Sequence, residues 1–309
     1  MRILITGGAG YVGCPLAKLL LDDGHTVVIL DPLNFGDGPL IDLLTSPNLI
    51  VHRGDVTSPH DLREASAGCD AVIHLAGLVG FPACRERPAL ARQVNVEGTA
   101  AVCRAFAGKP IINASTGSVY GDIEYLCDES SPCRPVSEYG KFKLEAEQIV
   151  LAAGGVSLRF ATLFGMSPCM RLDLLPNNFV FRAVKNRHLI LYRGSDRRTF
   201  LHVRDAGLAY LLTLQHFGSM AGEVYNVGDE SLNMTKRELA YFVQQLFPMQ
   251  ILDEESMGTD PDLRNYEVSY KKFRTACGFA PRENFAAGLR EVGQFAAFAD
   301  VAHKWRLTF

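Results

Sequence analysis

The sequence lacks the marks of several protein classes. Its eight cysteines (Cys14, Cys69, Cys84, Cys103, Cys127, Cys133, Cys169 and Cys277) form no C-x-x-C pair, and no histidine-rich segment supplies zinc-ligand spacing. Reduced cysteines acting as small hydrophobes are therefore expected, and no metal site. No apolar run approaches the roughly 20 residues that span a bilayer. Met1 and Arg2 lead straight into "ILITGG", without a charged n-region, a long apolar h-region or a cleavage site, so a soluble cytoplasmic protein is expected. The formal net charge is -3 with Lys and Arg scattered, which leaves no basic stripe for a nucleic acid. There is no internal repeat and no low-complexity tract.

What is present is enough apolar material, 48% of 309 residues, for a large core and one or two domains. The first half alternates short apolar runs with amphipathic segments: "RILIT", "PLAKLLLDDG", "TVVIL", then "LIVHRGD", "DLREASAG" and "AVIHLAG". Buried runs of this kind between helical patterns predict a doubly wound α/β domain with a parallel sheet. The alternation continues through "ALARQVNVEGTAAVCRAFAG" as a helix that Gly108 ends, "PIINAST" as a strand, a helix carrying Tyr139 and Lys143, and "VSLRFAT". After Gly165 it loosens into "MSPCMRLDLLPNNFVFRAVKN", where a smaller C-terminal region begins. "LILYRG", "TFLHVRD" and "EVYNVG" read as further strands that return to the sheet.

"ITGGAGYVG" lies between the first strand and the first helix. Gly7, Gly10 and Gly13 permit a tight turn, close approach of backbone to a pyrophosphate, and close helix-strand packing, with Tyr11 and Val12 inside the loop. The helix N-terminus points its free N–H groups at the phosphates. Asp31 ends the second strand at "TVVILD"; there a carboxylate accepts both adenosine-ribose hydroxyls and repels a 2′-phosphate, which favours NAD over NADP. The alternative is a solvated turn residue. Asp55 and Val56 of "RGDV" offer an adenine contact, and Leu75, Ala76 and Gly77 of "HLAG" a wall beside the cofactor.

Tyr139 and Lys143, at i and i+4, share one helix face. An ammonium near a phenol favours the phenolate, which can take a proton from an alcohol while hydride leaves the same carbon for a nicotinamide. Alone, such spacing also describes a surface pair. In the order glycine loop, acidic strand end, "NASTGSVYG", "YGKFK", the chain resembles the extended short-chain dehydrogenase/reductase family, in its NAD-dependent nucleotide-sugar epimerase, dehydratase and reductase branch. The resemblance runs through "VNVEGT", "LRFATLFG", "RTFLHVRD" and "EVYNVG" and so covers nearly the whole chain. It implies a Rossmann-type NAD-binding domain over 1–165, completed by strands from 189–228, and a mainly nucleotide-sugar-binding α/β region over 166–309.

The resemblance implies roles residue by residue. Thr116 hydrogen-bonds the sugar oxygen being oxidised, Tyr139 is the acid/base, and Lys143 holds the nicotinamide ribose and depresses the tyrosine pKa. Asn95 supports the helix and the cofactor side of the site, or only braces it. Phe160, Ala161 and Thr162 line the nicotinamide and the sugar, Phe160 with the alternative of plain core. Asn178 and Arg198 fall where the family binds diphosphate, and Arg171 and Arg264 are further candidates or solvated arginines. His202 and Asp205 read as architecture. A homodimer through two helices, with Ala101, Phe142 and Ile149 as outer apolar positions, is implied; the same residues also read as core.

Two departures bear on the reaction. Family 4,6-dehydratases carry Asp-Glu after the catalytic threonine, and decarboxylases keep an acid there; here stand Gly117 and Ser118. Reaction at C4 alone, as a dehydrogenase or an epimerase, needs only Thr116, Tyr139, Lys143 and NAD. The loop "GLVGFPACRERPALARQVNVEGT" also differs from that of 4-epimerases, so that Val79, Gly80, Phe81 and Cys84 are candidates for specificity, Cys84 also for a second acid or, alternatively, a buried structural thiol. With "SPCMRLDLLPNNF" and "DPDLRNY" it looks similar to a bacterial subgroup containing GDP-heptose 4-dehydrogenases of capsule and other surface-polysaccharide synthesis. The competing expectation is a non-catalytic NAD-binding sensor or scaffold of the same fold.

Overall fold

The computed structural model describes residues 1–253 and 264–299. The first strands in the chain are β1 (Arg2–Thr6), β2 (Thr26–Asp31), β3 (Leu49–Arg53), β4 (Ala71–His74) and β5 (Ile111–Thr116). After these come β6 (Asp122–Cys127), β7 (Val156–Phe160), β8 (Thr162–Phe164), β9 (His188–Leu191) and β10 (Arg197–His202). The last are β11 (Val224–Val227), β12 (Asn233–Thr235), β13 (Gln250–Asp253) and β14 (Asn265–Val268).

Seven of these form one sheet in the order β3-β2-β1-β4-β5-β7-β11, with every neighbouring pair parallel. Ile3, Leu4, Ile5, Val27, Val28, Ile29, Val72 and Ile73 are fully buried, because helices cover both faces, and this is why the strands read as continuous apolar runs rather than alternating ones. Strand order reverses between β1 and β4, so the loops leaving their C-terminal ends diverge to opposite faces and open a crevice there. The expected α/β doubly wound architecture is the observed one.

Of the three strands expected to return to the sheet, only "EVYNVG" does so, as β11 on the edge beside β7. "LILYRG" instead pairs β9 with β13, and "TFLHVRD" pairs β10 with β8 and β12. The edge of the main sheet is already taken by β11, and these shorter strands build a second core around Phe164, Phe179, Phe200, Leu239 and Leu289. Tyr11 of the glycine loop is buried in that second core, its hydroxyl donating to Gly165 O at 2.8 Å while Ser167 Oγ donates to Tyr11 O at 2.7 Å. The loose stretch after Gly165 contains a full helix, Leu175–Asn186, started by Pro176 near its N-terminus, where a missing N–H is harmless.

The segment expected as one long helix is continuous from 88 to 105, with a π turn over Gln93–Gly98 set between Pro88–Arg92 and Thr99–Ala105. π turns often mark sites where a side chain must be re-aimed, and here the side chain is Asn95. Of the two readings open for Phe142, core holds: it is 8% exposed and packs with Cys84, Ala91 and Val96. All eight cysteines are free thiols, seven of them buried. Among the described residues no helix is long and apolar enough to cross a membrane, and no His, Cys, Asp and Glu cluster could hold a metal.

Candidate active site

One cavity of about 1430 Å³ runs along the crevice at the strand ends. At one end the backbone sets its shape. Gly7, in the left-handed region at φ +72°, has no room for a side chain: a Cβ would lie 2.8 Å from Ala76 N. A Cβ on Gly13 would lie 2.5 Å from Gly8 O, so the helix Gly13–Asp22 can begin tight against the loop only without one. A glycine cradle at a helix N-terminus, closed on its far side by Leu75, Ala76 and Gly77, fits the pyrophosphate of a dinucleotide.

Asp31 closes the same end. It is only 8% exposed, and its carboxylate accepts from Ala9 N at 3.1 Å and Leu33 N at 2.8 Å. These bonds aim it at the cavity, which rules out the solvated-turn alternative. Asp55 accepts from Thr57 N at 2.8 Å and, with Val56, also lines the cavity. Asn34, Phe35 and Pro39 line it too; sequence reasoning passed over them because they sit in a loop without a periodic pattern.

The other end is built from side chains. Thr116 is the last residue of β5 and caps the short turn Gly117–Val119, its Oγ1 accepting from Ser118 N at 3.2 Å. Ser137 caps the helix Glu138–Ala152 by accepting from Gly140 N at 3.1 Å. That cap starts the helix so that Tyr139 and Lys143 face Thr116. Thr116, Tyr139 and Lys143 all line the cavity there, and Lys143, 4% exposed, donates to Ala114 O at 2.8 Å.

The electrostatics of the phenol involve two arginines. Burial raises the Tyr139 phenol to about 12, and the charges opposing it are the guanidinium groups of Arg171 and Arg264, helped by the Thr116 hydroxyl. Burial also lowers the Lys143 ammonium to about 8. One of its three N–H donors goes to the Ala114 carbonyl, which leaves two for a bound ligand.

Val79, Gly80, Phe160, Thr162, Arg171, Asn178, Arg198 and Arg264 all line the cavity. Arg171 lies at the chemical end, with Nη2 4.0 Å from where a Gly80 Cβ would be, and forks onto Asp173 at 3.1 and 2.5 Å. Arg264 Nη1 donates to Ser118 Oγ at 2.5 Å, and Arg198, 1% exposed, donates to the carbonyls of Arg197 and Arg264. The part of "DPDLRNY" before Arg264 lies outside the described residues. Arg182 was missed: it lines the cavity and donates to Asn178 Oδ1 at 2.9 Å, a partnership readable from their i, i+4 spacing.

One expectation needs correction, and the structural-thiol alternative for Cys84 holds. Asn95 does not line the cavity. It is 1% exposed, and its amide clamps the loop after β4, Oδ1 accepting from Leu78 N and Nδ2 donating to Leu78 O, both at 2.9 Å. It braces the cofactor wall rather than forming it. Cys84 is fully buried outside the cavity, its thiol raised to about 11 by burial and donating to Leu78 O at 3.2 Å, so it does not stand as a second acid. His202 and Asp205 are architectural, His202 accepting from Arg204 N and Asp205 from the N–H groups of Arg282 and Glu283.

The model of the NAD dependent epimerase/dehydratase family matches residues 3–228. A dTDP-glucose 4,6-dehydratase of Streptomyces niveus is 30% identical over 94% of this chain and 91% of its own length. Among solved structures, the dTDP-glucose 4,6-dehydratase DesIV from Streptomyces venezuelae with NAD bound superposes with a TM-score of 0.83 at 27% identity, over 94% of this chain and 96% of that one. The UDP-glucose 4-epimerase of Thermus thermophilus in complex with NAD gives 0.82 at 25% identity, over 97% and 100%.

Proposed function

The chain belongs to the NAD-dependent epimerase/dehydratase family, and from that premise we propose that it oxidises the C4 hydroxyl of a nucleotide-diphosphate sugar. It is an NAD-dependent enzyme of nucleotide-sugar chemistry. The observation that carries the choice of C4 is the pair of positions after Thr116. A Cβ on Gly117 would already sit 3.1 Å from the ring and hydroxyl of Tyr266, and the Oγ of Ser118, 1% exposed, accepts from Thr116 Oγ1 and Arg264 Nη1. Elimination of water needs an acid for the departing hydroxyl and a base for a neighbouring carbon, and this pair supplies neither. The likeness to 4,6-dehydratases therefore stops short of their reaction.

In the mechanism that follows, Thr116 Oγ1 holds O4 of the sugar and Tyr139 Oη takes its proton. NAD, when bound, accepts the hydride from C4. Arg171 and Arg264 favour the phenolate against the pull of burial, since a positive charge nearby stabilises it. Lys143 holds the cofactor's ribose side. Arg198, Arg182 and Asn178 grip the diphosphate, for which the planar guanidinium fork is suited.

Return of the hydride to the other face makes a 4-epimerase; departure of the 4-keto sugar makes a 4-dehydrogenase, whose reduced cofactor a second substrate must reoxidise. The likeness of the loop after β4 makes GDP-heptose the first sugar to try, in a cytoplasmic step of bacterial surface-polysaccharide synthesis. A homodimer through the helices Thr99–Ala105 and Glu138–Ala152 belongs to the same reading, with the partly exposed Ala101 and Ile149 at the contact. The test is incubation with GDP-, UDP- and dTDP-sugars deuterated at C4. Label retained in an inverted sugar marks an epimerase, and label on the nicotinamide a dehydrogenase. A 4-keto-6-deoxy product, or no conversion of any sugar, overturns the proposal.

A further inference from the structure

A buried ion pair behind the site is used by none of the steps above. Glu147 and Arg159 have side chains 3% and 5% exposed. Arg159 Nη2 donates to Glu147 Oε1 at 2.6 Å and Nε to Oε2 at 3.0 Å, a two-pronged fork. A pair this deep is poor evidence of a stability gain, because the loss of hydration offsets most of the attraction and well-packed apolar residues often do as well. Its connections suggest another purpose.

Glu147 stands one step further along the sequence 139, 143, 147, so it lies on the helix face that carries Tyr139 and Lys143. Its Oε2 also accepts from Ser115 Oγ at 2.9 Å, and Ser115 immediately precedes Thr116. Arg159 Nη1 donates to Tyr120 Oη at 2.9 Å, and that hydroxyl donates to Asn226 Oδ1 of β11 at 2.7 Å. Ser115 and Tyr120 flank the segment that Thr116 caps. The ion pair thus holds both sides of the Thr116 turn and the far half of the Tyr139 helix in one polar network, while Lys143 to Ala114 O makes the second tie between helix and β5.

We propose that Glu147 and Arg159, acting through Ser115 and Tyr120, are positioning residues that set the spacing of Thr116 and Tyr139 for proton transfer. The inference rests on the C4-oxidation reading of the site. A misplacement of about 1 Å between reacting groups can cost roughly 10²-fold in rate, which is the scale of effect at stake.

The test uses S115A and the paired replacement E147L/R159M in the full-length protein. Each is assayed on whichever GDP-, UDP- or dTDP-sugar the wild type converts. Expected for E147L/R159M is a thermal midpoint at or above wild type with kcat down about 10²-fold. For S115A, kcat falls about tenfold while KM and the NAD dissociation constant stay within about twofold. Crystal structures should show Thr116 Oγ1 and Tyr139 Oη further apart in both. S115A deletes one hydroxyl, so it decides the matter if the paired variant does not fold. The proposal is overturned if S115A keeps wild-type kcat, if KM and NAD affinity degrade in step with kcat, or if the Thr116 to Tyr139 separation is unchanged in the crystal. Wild-type protein that converts no nucleotide sugar sinks only the C4 reading, since the crystallographic separation still judges this one.

Discussion

The two ends of the cavity are built by opposite means. At the dinucleotide end, the shape comes from backbone: three glycines of one loop, the start of one helix and a carboxylate oriented by neighbouring N–H groups. At the sugar end it comes from side chains gathered from β5, the Glu138–Ala152 helix, the Arg171 loop, β10 and the segment leading into β14. A backbone cradle suits a ligand part that never changes, whereas side chains on separate elements can be exchanged one at a time. The first end should fail by losing affinity and the second by losing chemistry.

The sharpest way to break that division is Y139F. The hydroxyl removed is the proposed proton acceptor, and the ring's packing stays, so kcat should fall about 10³-fold with NAD affinity unchanged by calorimetry. Turnover unaffected by Y139F would remove the mechanism.

K143M should cost roughly 10²-fold in kcat and yet stabilise the fold at neutral pH. Burial holds the folded-state pKa of Lys143 at about 8, below its ordinary 10.5. Below about 8 both folded and unfolded chains are protonated and the cost of the buried charge is present in full. Between 8 and 10.5 the unfolded chain binds the extra proton, so wild-type stability rises with pH across that window. The thermal midpoint of K143M should therefore exceed that of wild type at pH ~7, with the gap closing as pH approaches ~10. A gap that widens with pH would refute the assignment of a cation held at a loss.

G13A tests the other end. A Cβ 2.5 Å from Gly8 O forces backbone to move, so the NAD dissociation constant should rise about tenfold or more, while kcat at saturating NAD stays within about threefold. A fall in kcat without weaker NAD binding would show that the glycine loop reaches into the chemistry and erase the contrast.

The same contrast explains what could be read from the chain alone. The glycine loop, Asp31 and the Tyr139 and Lys143 pair are local, so spacing reveals them. β14 pairs with β6 across the chain, Asn265 opposite Asp122, and this places Tyr266 against Gly117; no short-range pattern announces such a contact. Arg182 was legible through Asn178 but hidden in a stretch whose prolines and asparagines resembled a loop. Asn95 carried the right residue type with the wrong reach, because a π turn rotates its amide onto Leu78. The strands β9 and β10 were recognisable as strands, but which sheet they join depends on edges already occupied.

Arg171 gives the finest test, because the sequence grouped it with the diphosphate arginines and the structure brings its charge to bear on Tyr139 across the same cavity. The kcat/KM profile reports the base of the free enzyme, and with the phenol at about 12 the rate should climb toward alkaline pH. R171Q removes a charge that lowers that pKa, so the climb should move to higher pH and kcat/KM near neutrality should drop about threefold to tenfold. R182Q should instead raise KM and leave the position of the climb unchanged, since its partner is Asn178 at the diphosphate end. If R171Q behaves as R182Q does, Arg171 grips phosphate, and Arg264 with the Thr116 hydroxyl must oppose the burial of the phenol by themselves.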